Sequence, residues 1–162
     1  MSKNSETTTE SDIVDFNPKR ILVPVDGSQN SKRALEVALR IAKTYGSSLE
    51  VISVVPIQRM AVETTLGLGA SPSYYQFAED DAKRTVTEAV NFVKDKGYSN
   101  VKGETIRGSE SIVQAIVEFA EHFDVNLIVI GTRGLGGFKK LLLGSVSNGV
   151  VTHATCHVLV VR

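Results

Sequence analysis

Two apolar patterns alternate along the chain, one with the period of a strand and one with that of a helix. Short, uninterrupted runs rich in β-branched residues indicate buried strands. Apolar residues that recur every three or four positions indicate helices packed through one face. The runs predict strands at 20–25, 49–55, 100–107, 125–130 and 157–161. The helical spacing predicts helices at about 29–45, 74–96, 109–123 and 145–154.

Alternation of strands and helices is typical of an α/β protein with an open parallel sheet. We therefore expect a single doubly wound, Rossmann-like, five-stranded sheet in the order 3-2-1-4-5, with helices on both faces. The first, second and fourth strands are apolar enough to be central. The third is only weakly apolar, which suits an edge, and the last strand is expected at the opposite edge.

The helical periodicity also predicts which side chains face the core. The predicted core positions of the first helix are Ala34, Leu35, Ala38, Ile41, Ala42 and Tyr45. Those of the second helix are Phe77, Ala82, Val86, Ala89, Phe92 and Val93. Those of the third helix are Ile112, Val113, Ile116, Val117, Ala120 and Phe123.

The length of the chain predicts one domain, and its polar first residues predict a disordered tail before that domain. A length of 162 residues is typical of a single domain. Residues 1–18 are predicted to be disordered, because residues 2–10 contain no apolar side chain to offset the entropy lost on ordering. The domain then covers residues 19–162. Residues 56–73 lack a sustained period, which predicts a functional or mobile loop.

Charge and cysteine content exclude several kinds of partner and compartment. The 18 basic residues balance the 18 acidic ones, which argues against nucleic acid or an anionic membrane as a partner. The single cysteine, Cys156, fits a reducing compartment and is interpreted as core filler rather than a nucleophile. The sequence shows neither an apolar run of about 18 residues nor a signal peptide, so we expect a cytoplasmic protein.

A pair of glycine-marked turns follows the fourth predicted strand. Gly131 and Gly134 come directly after Leu127-Ile128-Val129-Ile130, and Gly144 precedes the last predicted helix, which Ser145 or Ser147 could cap. Glycine lets a ligand approach the backbone closely, and a helix start favours a bound phosphate. The pattern indicates a phosphate cradle, with plain flexible turns as the alternative. Neither a Walker A motif nor a glycine-rich dinucleotide fingerprint is present.

Asp26 ends the first predicted strand and should face the same crevice, because ligands of open α/β sheets bind where the strand order reverses. It could bind a ribose hydroxyl or a metal-bound water, or it could only form a turn or helix cap. Arg133 could pair with a phosphate or point to solvent. Lys139 and Lys140 could screen phosphate charge, although a solvated loop face is favoured.

These motifs resemble those of the universal stress protein family, in its nucleotide-binding branch. The resemblance covers residues 18–162 and rests on G-x-x-G, nine residues, then G-[ST], which Gly131, Gly134, Gly144 and Ser145 fit. The opening strand ends in V-P-V-D-G-S and the chain closes with V-L-V-V-R, as the resemblance also requires. Residues 19–162 are therefore expected to form a universal-stress-protein-like, nucleotide-binding domain.

The resemblance implies ATP as the ligand, with magnesium, and assigns the residues that hold it. The triphosphate would lie on Gly131, Arg133, Gly134, Gly144, Ser145, Val146 and Ser147. The adenine end would lie against Pro24, Val25, Asp26 and Val54, with Ile130 beneath. The resemblance further implies a homodimer joined through the last strand, whose apolar edge favours pairing with another chain. A protein partner that responds to the bound nucleotide is a further possibility.

Three functions compete for this sequence. The first is a dimeric, ATP-binding stress or regulatory module, the second a slow ATPase or nucleotide-transferring enzyme, and the third an interaction module without nucleotide. The glycine motif argues against the third, and the lack of a residue committed to orienting a water argues against the second. We therefore favour a non-enzymatic module with no protein metal site. His153 and His157 have a metal-ligand spacing, but the predicted helix ends between them.

Overall fold

A computed structural model describes residues 16–56, 72–108, 111–134 and 143–162. Within this part of the chain, strands and helices alternate strictly. The strands are β1 (Arg20–Pro24), β2 (Ser48–Pro56), β3 (Val101–Gly108), β4 (Leu127–Gly131) and β5 (His157–Val161). The helices are α1 (Gln29–Tyr45), α2 (Pro72–Asp95), α3 (Ile112–His122) and α4 (Ser145–His153).

The sheet has five parallel strands in the order β3-β2-β1-β4-β5. This confirms the predicted α/β fold, its strand order and its weakly apolar edge strand. The strand β1 lies at the centre, between β2 and β4, and the direction of winding reverses at this strand. The bounds of α1 and β5 agree with the sequence pattern, and the other elements differ from it by a few residues at their ends.

Two apolar cores lie on opposite faces of the sheet, which explains the helices on both sides. On one face, α1 and α2 bury Ala38 and Val93 against Val23, Val51 and Val129. On the other face, α3 and α4 bury Ile116 and Val150 against Leu22, Ile52 and Ile128. Because successive strand residues point to opposite faces, the uninterrupted apolar runs of β1 and β4 supply both cores at once.

Capping groups account for the two ends of α1. Ser28 is the N-cap, and its side chain accepts a hydrogen bond from the Ser31 N–H at 3.2 Å. Gly46 ends the helix in the left-handed region, at φ 70°, and donates its N–H to the Ala42 carbonyl at 2.8 Å. A residue without a Cβ adopts this conformation at low cost. These caps fix where α1 begins, directly after the turn that ends β1.

Three aromatic side chains predicted to face the core are exposed instead. Phe77 is 69% exposed, because the buried stripe of α2 runs through Ala82, Val86, Ala89 and Val93, and Phe77 lies one position away from it. Tyr45 and Phe123 are 40% and 37% exposed at the carboxyl ends of their helices. The sequence pattern missed Leu39 and Phe119, which are both buried.

The residues just before β1 contact the domain. The Ser47 hydroxyl donates to the Pro18 carbonyl at 2.6 Å, and the Phe16 ring makes edge contacts with Tyr45 and His157. Residues 1–15 of the predicted tail and residues 57–71 of the predicted loop lie outside the described residues. Both stay predictions.

Candidate functional site

The candidate site lies where the carboxyl ends of β1 and β4 separate. The register of these strands pairs only Ile21 with Leu127 and Leu22 with Ile128, although both strands continue beyond these residues. By contrast, β1 remains paired with β2 as far as Pro24, and β4 with β5 as far as Gly131. A crevice can therefore open between β1 and β4, at the reversal of strand order where α/β proteins bind ligands.

Pro24 gives a reason for this separation. Backbone groups of successive strand residues point to opposite neighbouring strands. The Val25 N–H donates to the Ile52 carbonyl of β2 at 2.8 Å, so the backbone of Pro24 faces β4. Proline has no N–H to donate. The ladder between β1 and β4 therefore loses a donor at the point where the crevice begins.

Asp26 contacts the glycine loop (residues 131–143, of which 131–134 and 143 are described) from the other side of the crevice. One carboxylate oxygen, Oδ1, accepts the Ser28 N–H at 3.0 Å, which is the turn role that the sequence left open. The other, Oδ2, lies against Gly134, and a Cβ on Gly134 would collide with it. The sequence analysis predicted that Asp26 and the glycine loop lie next to each other, and the structure places them in contact. Asp26 forms the turn and reaches the loop at the same time.

The three motif glycines lie in different surroundings. A Cβ at Gly131 would approach the backbone of Asn30, in the first turn of α1, to within 2.7 Å. Gly131 therefore permits the packing of α1 against β4. At Gly144 the nearest atom to such a Cβ is the Thr132 carbonyl oxygen at 3.1 Å, which is tight but less restrictive. At Gly134 the nearest atom to such a Cβ is a carboxylate oxygen of Asp26, another predicted site residue.

The main chain of the glycine loop is held by three neighbouring elements. The Thr132 N–H donates to the Val161 carbonyl of β5 at 2.8 Å. The Thr132 carbonyl accepts the Gly144 N–H at 2.7 Å and the Ser147 hydroxyl at 2.9 Å, both at the start of α4. The Arg133 carbonyl accepts the Asn30 side-chain amide at 3.2 Å. The described part of the loop is therefore fixed before any ligand arrives.

The start of α4 offers backbone donors toward the loop. Gly144 is the N-cap and provides no side-chain hydrogen bond, which differs from the cap by Ser145 or Ser147 expected from the sequence. The N–H groups of Ser145, Val146 and Ser147 have no acceptor within the helix, because they belong to its first turn. Ser145 is exposed there. The Ser147 side chain is buried and its hydroxyl already contacts Thr132, so Ser147 can offer only its N–H.

The predicted adenine-side residues divide between the two faces of the sheet. Val54 and Ile130 belong to the core beneath α3 and α4. Val25 belongs to the opposite core, beneath α1 and α2, and its N–H is already bonded to Ile52. Pro24 is buried at the end of β1. The structure therefore brings Val54 and Ile130 to one face, and the Val25 side chain does not share it.

A separate cavity of about 250 Å³ lies between α1 and α2. Its lining includes Val25, Leu35, Thr85 and Phe92 but neither Asp26 nor any residue of the glycine loop. It lies behind the turn at Gly27, on the face opposite α4. This cavity is not part of the candidate site.

The remaining candidate residues lie away from the crevice. Cys156 is partly buried and packs against the core beneath α3 and α4, and burial raises the pKa of its thiol, which disfavours the nucleophilic thiolate. The His153 ring contacts the Gly149 carbonyl at the end of α4, whereas His157 begins β5 beside Phe16. Within the described ranges, no three His, Cys, Asp or Glu residues are grouped to hold a metal ion. Lys139 and Lys140 lie outside those ranges.

Two positions that the sequence analysis did not single out contribute to the site. Asn30 and Thr132 hold the loop through a side-chain amide and through backbone groups, respectively. Asn30 carries a weak local signal, since it is a short polar residue in the first turn of a helix that follows a strand. Thr132 carries none, because its contacts are made by the main chain.

Comparison with known proteins identifies the family. The model of the universal stress protein family matches residues 17–162. The chain belongs to the universal stress protein family. Universal stress protein YxiE of Bacillus subtilis (strain 168) is 34% identical over 148 residues, which are 88% of this chain and 98% of that protein.

Solved structures share the fold of this chain. The hypothetical protein MJ0577 superposes with a TM-score of 0.73 at 24% identity, over 88% of this chain and 94% of that one. A universal stress protein solved in complex with cAMP gives a TM-score of 0.64 at 25% identity, over 90% and 98% of the two chains.

Among the described residues of this chain, no helix is both long and apolar enough to span a membrane.

The different surroundings of the motif glycines predict different effects of adding a methyl group. We expect Gly131→Ala to lower the free energy of unfolding by about 1–3 kcal/mol, because α1 must move away from β4. Gly144→Ala should lower it by about 1 kcal/mol or less, because alanine can adopt φ −72° and the nearest atoms, the Thr132 carbonyl oxygen and the Arg133 Cα, would lie at 3.1 and 3.4 Å from its Cβ. Urea unfolding of both variants measures the difference. Equal losses would contradict the packing role of Gly131.

Proposed function

We propose that the protein is a nucleotide-responsive stress module that binds ATP, with magnesium, between Asp26 and the start of α4. The observation that carries the proposal is the contact of Asp26 with Gly134, beside a helix start that has no side-chain cap. Backbone N–H groups at a helix start favour a phosphate, both as donors and through the helix dipole. The cytoplasmic location expected from the sequence stays a prediction.

The charges at the crevice favour magnesium as the companion of the phosphates. Asp26 is an acidic residue directly against the glycine loop, and a polyphosphate placed there would be repelled by its carboxylate. A divalent cation between them removes this repulsion, because Mg²⁺ binds phosphate oxygens and usually keeps several waters. A ribose hydroxyl donating to Asp26 is the other arrangement that the carboxylate can stabilise. The arrangement with a ribose hydroxyl favours a nucleotide over an isolated phosphate.

A relative supports the choice of ligand class. The universal stress protein solved with cAMP holds an adenine nucleotide. ATP has the same adenine, ribose and α-phosphate, and it adds phosphates that the N–H groups at the start of α4 can bind. This addition is why we propose ATP rather than a monophosphate for this chain.

Binding of ATP should raise the thermal stability of the protein. A ligand at about 100 times its dissociation constant stabilises the folded state by about 2.7 kcal/mol. For a chain of this size we expect the melting temperature to rise by about 5–10 °C. Differential scanning fluorimetry with millimolar ATP and MgCl₂ measures the shift, and acid release of co-purified nucleotide identifies the natural occupant. The absence of both effects would favour a module that works without nucleotide.

We also propose that the module is not an efficient ATPase. Fast hydrolysis requires a group that orients a water and groups that stabilise charge at the γ-phosphate. In the described ranges, Asp26 is the acidic side chain at the crevice, and its Oδ1 accepts the Ser28 N–H. We expect a steady-state turnover well below about 1 s⁻¹. Phosphate release that exceeds this rate, and that co-purifies with the protein through two columns, would favour the enzyme.

A homodimer through β5 completes the proposal. β5 lies at one edge of the sheet, and Leu159 is partly exposed on it. The His157 N–H and the Val161 carbonyl bond to the β4 side, so the backbone groups of Val158 and Val160 point to the open edge. An apolar edge whose backbone groups point outward can pair with a second copy about a two-fold axis.

The direction of these backbone groups allows a selective test of the dimer. Val160→Pro removes an outward N–H while leaving the ladder to β4 intact, so we expect a monomer that remains folded. Val160→Ala keeps the N–H and should remain a dimer. Light scattering should give twice the 17.5 kDa chain mass for the wild type and for Val160→Ala. A wild type that is monomeric at micromolar concentration would contradict the proposal.

A further inference from the structure

The first turn of α1 holds the glycine loop through a single carbonyl group. The Asn30 side-chain amide, at Nδ2, donates to the Arg133 carbonyl oxygen at 3.2 Å. The Ser28 hydroxyl approaches the same oxygen at 3.5 Å. These residues lie more than a hundred positions from Arg133 in the sequence, and the absence of a side chain on Gly131 lets them come this close. The Arg133 carbonyl is therefore directed toward α1.

The direction of this carbonyl fixes the direction of the next N–H. The peptide group between Arg133 and Gly134 is planar and trans, so its C=O and N–H point in opposite directions. With the carbonyl turned toward α1, the Gly134 N–H points away from α1. Gly134 has no Cβ to hinder rotation of this peptide, so the hydrogen bonds to the Arg133 carbonyl help to fix its orientation.

The chemistry of Asn30 suits this task. A carbonyl oxygen only accepts hydrogen bonds, so the Asn30 amide must present its NH₂ group to it. Asn30 is half-buried and occupies the second position of α1, where the helix backbone holds its Cα in place. The donor is therefore supplied from a rigid element rather than from another loop, which favours a single loop geometry.

We propose that Asn30 is a positioning residue for the nucleotide site, which turns the peptide between Arg133 and Gly134 so that the Gly134 N–H donates to a phosphate oxygen. This inference rests on the proposed function. Asn30 does not contact the nucleotide itself. Its contribution is to prevent the peptide from turning its carbonyl toward the phosphate, where like partial charges would repel.

Two substitutions at Asn30 separate positioning from folding. Asn30→Asp replaces the donor with a carboxylate that repels the Arg133 carbonyl, yet a negative charge in the first turn of a helix stabilises the helix. We expect the Kd for Mg-ATP to rise about tenfold, with a melting temperature equal to or above that of the wild type. Asn30→Ala removes the donor without adding charge and should weaken binding to a similar extent.

Gln29 provides the matched control for charge. It is the exposed neighbour of Asn30 in the same turn, and the Arg133 carbonyl is bonded by Asn30 and Ser28. Gln29→Asp adds the same charge near the same helix start but leaves the Asn30 amide in place. Isothermal titration with Mg-ATP should show less than about a threefold change for this variant.

The amide resonance of Gly134 gives a second measurement. In ¹⁵N–¹H spectra of the wild type, addition of Mg-ATP should shift the Gly134 proton downfield, and this shift should be lost in Asn30→Asp and Asn30→Ala.

If the wild type binds Mg-ATP and Asn30→Asp binds equally well, the positioning role is wrong and the proposed function stands. If Gln29→Asp weakens binding as much as Asn30→Asp, charge rather than position is responsible. If the wild type does not bind Mg-ATP at all, both proposals fail together.

Discussion

The separation of β1 from β4 beyond Leu22 and Ile128 is the constraint on which the crevice depends. Parallel strands normally stay paired along their length, because an unpaired backbone group inside a sheet is costly. Here Pro24 lacks the N–H that would continue the ladder, and the glycine loop turns its Thr132 and Arg133 backbone groups to other elements. The strands β1 and β4 can therefore separate while the Thr132 and Arg133 backbone groups keep their hydrogen bonds. Asp26 contacts Gly134 across the crevice.

The same backbone bonds connect the loop to three elements that would otherwise be independent. Thr132 joins it to β5 and to the start of α4, and Arg133 joins it to α1. Residues 131–134, held in this way, would lose little conformational freedom if a ligand bound there, and such preorganisation favours affinity. The same hydrogen bonds make β5, α1 and the start of α4 direct neighbours of the loop backbone.

Much of the fold could be predicted from the sequence because its signals are local. The apolar runs define β1 and β4, and Ser28 and Gly46 mark the ends of α1. The predictions failed where a result depends on distant parts of the chain. Phe77 fits the helical period approximately but lies beside the buried stripe, and the sequence does not show which phase of the period the sheet selects.

At the candidate site, too, local sequence signals were predictive and contacts between distant residues were not. The spacing of the glycines and the position of Asp26 after a strand were sufficient to predict that they meet. Their separate roles were not predictable, because Gly131 is required by the Asn30 backbone and the Ser147 hydroxyl is engaged by Thr132. Both contacts join residues that are separate in sequence, and both involve main-chain atoms, whose partners cannot be inferred from residue type.

The donors at the crevice also bear on which part of a nucleotide such a site can recognise. Backbone N–H groups at a helix start bind phosphate oxygens whatever base is attached. Asp26 can distinguish a ribose hydroxyl or a bound cation. On the side proposed for the base, the Val54 and Ile130 side chains are apolar and give no directional contact, and the Val25 N–H is already bonded to Ile52. Because a hydrophobic wall discriminates weakly between planar ligands, selectivity in such a site would come mainly from the phosphates and the ribose.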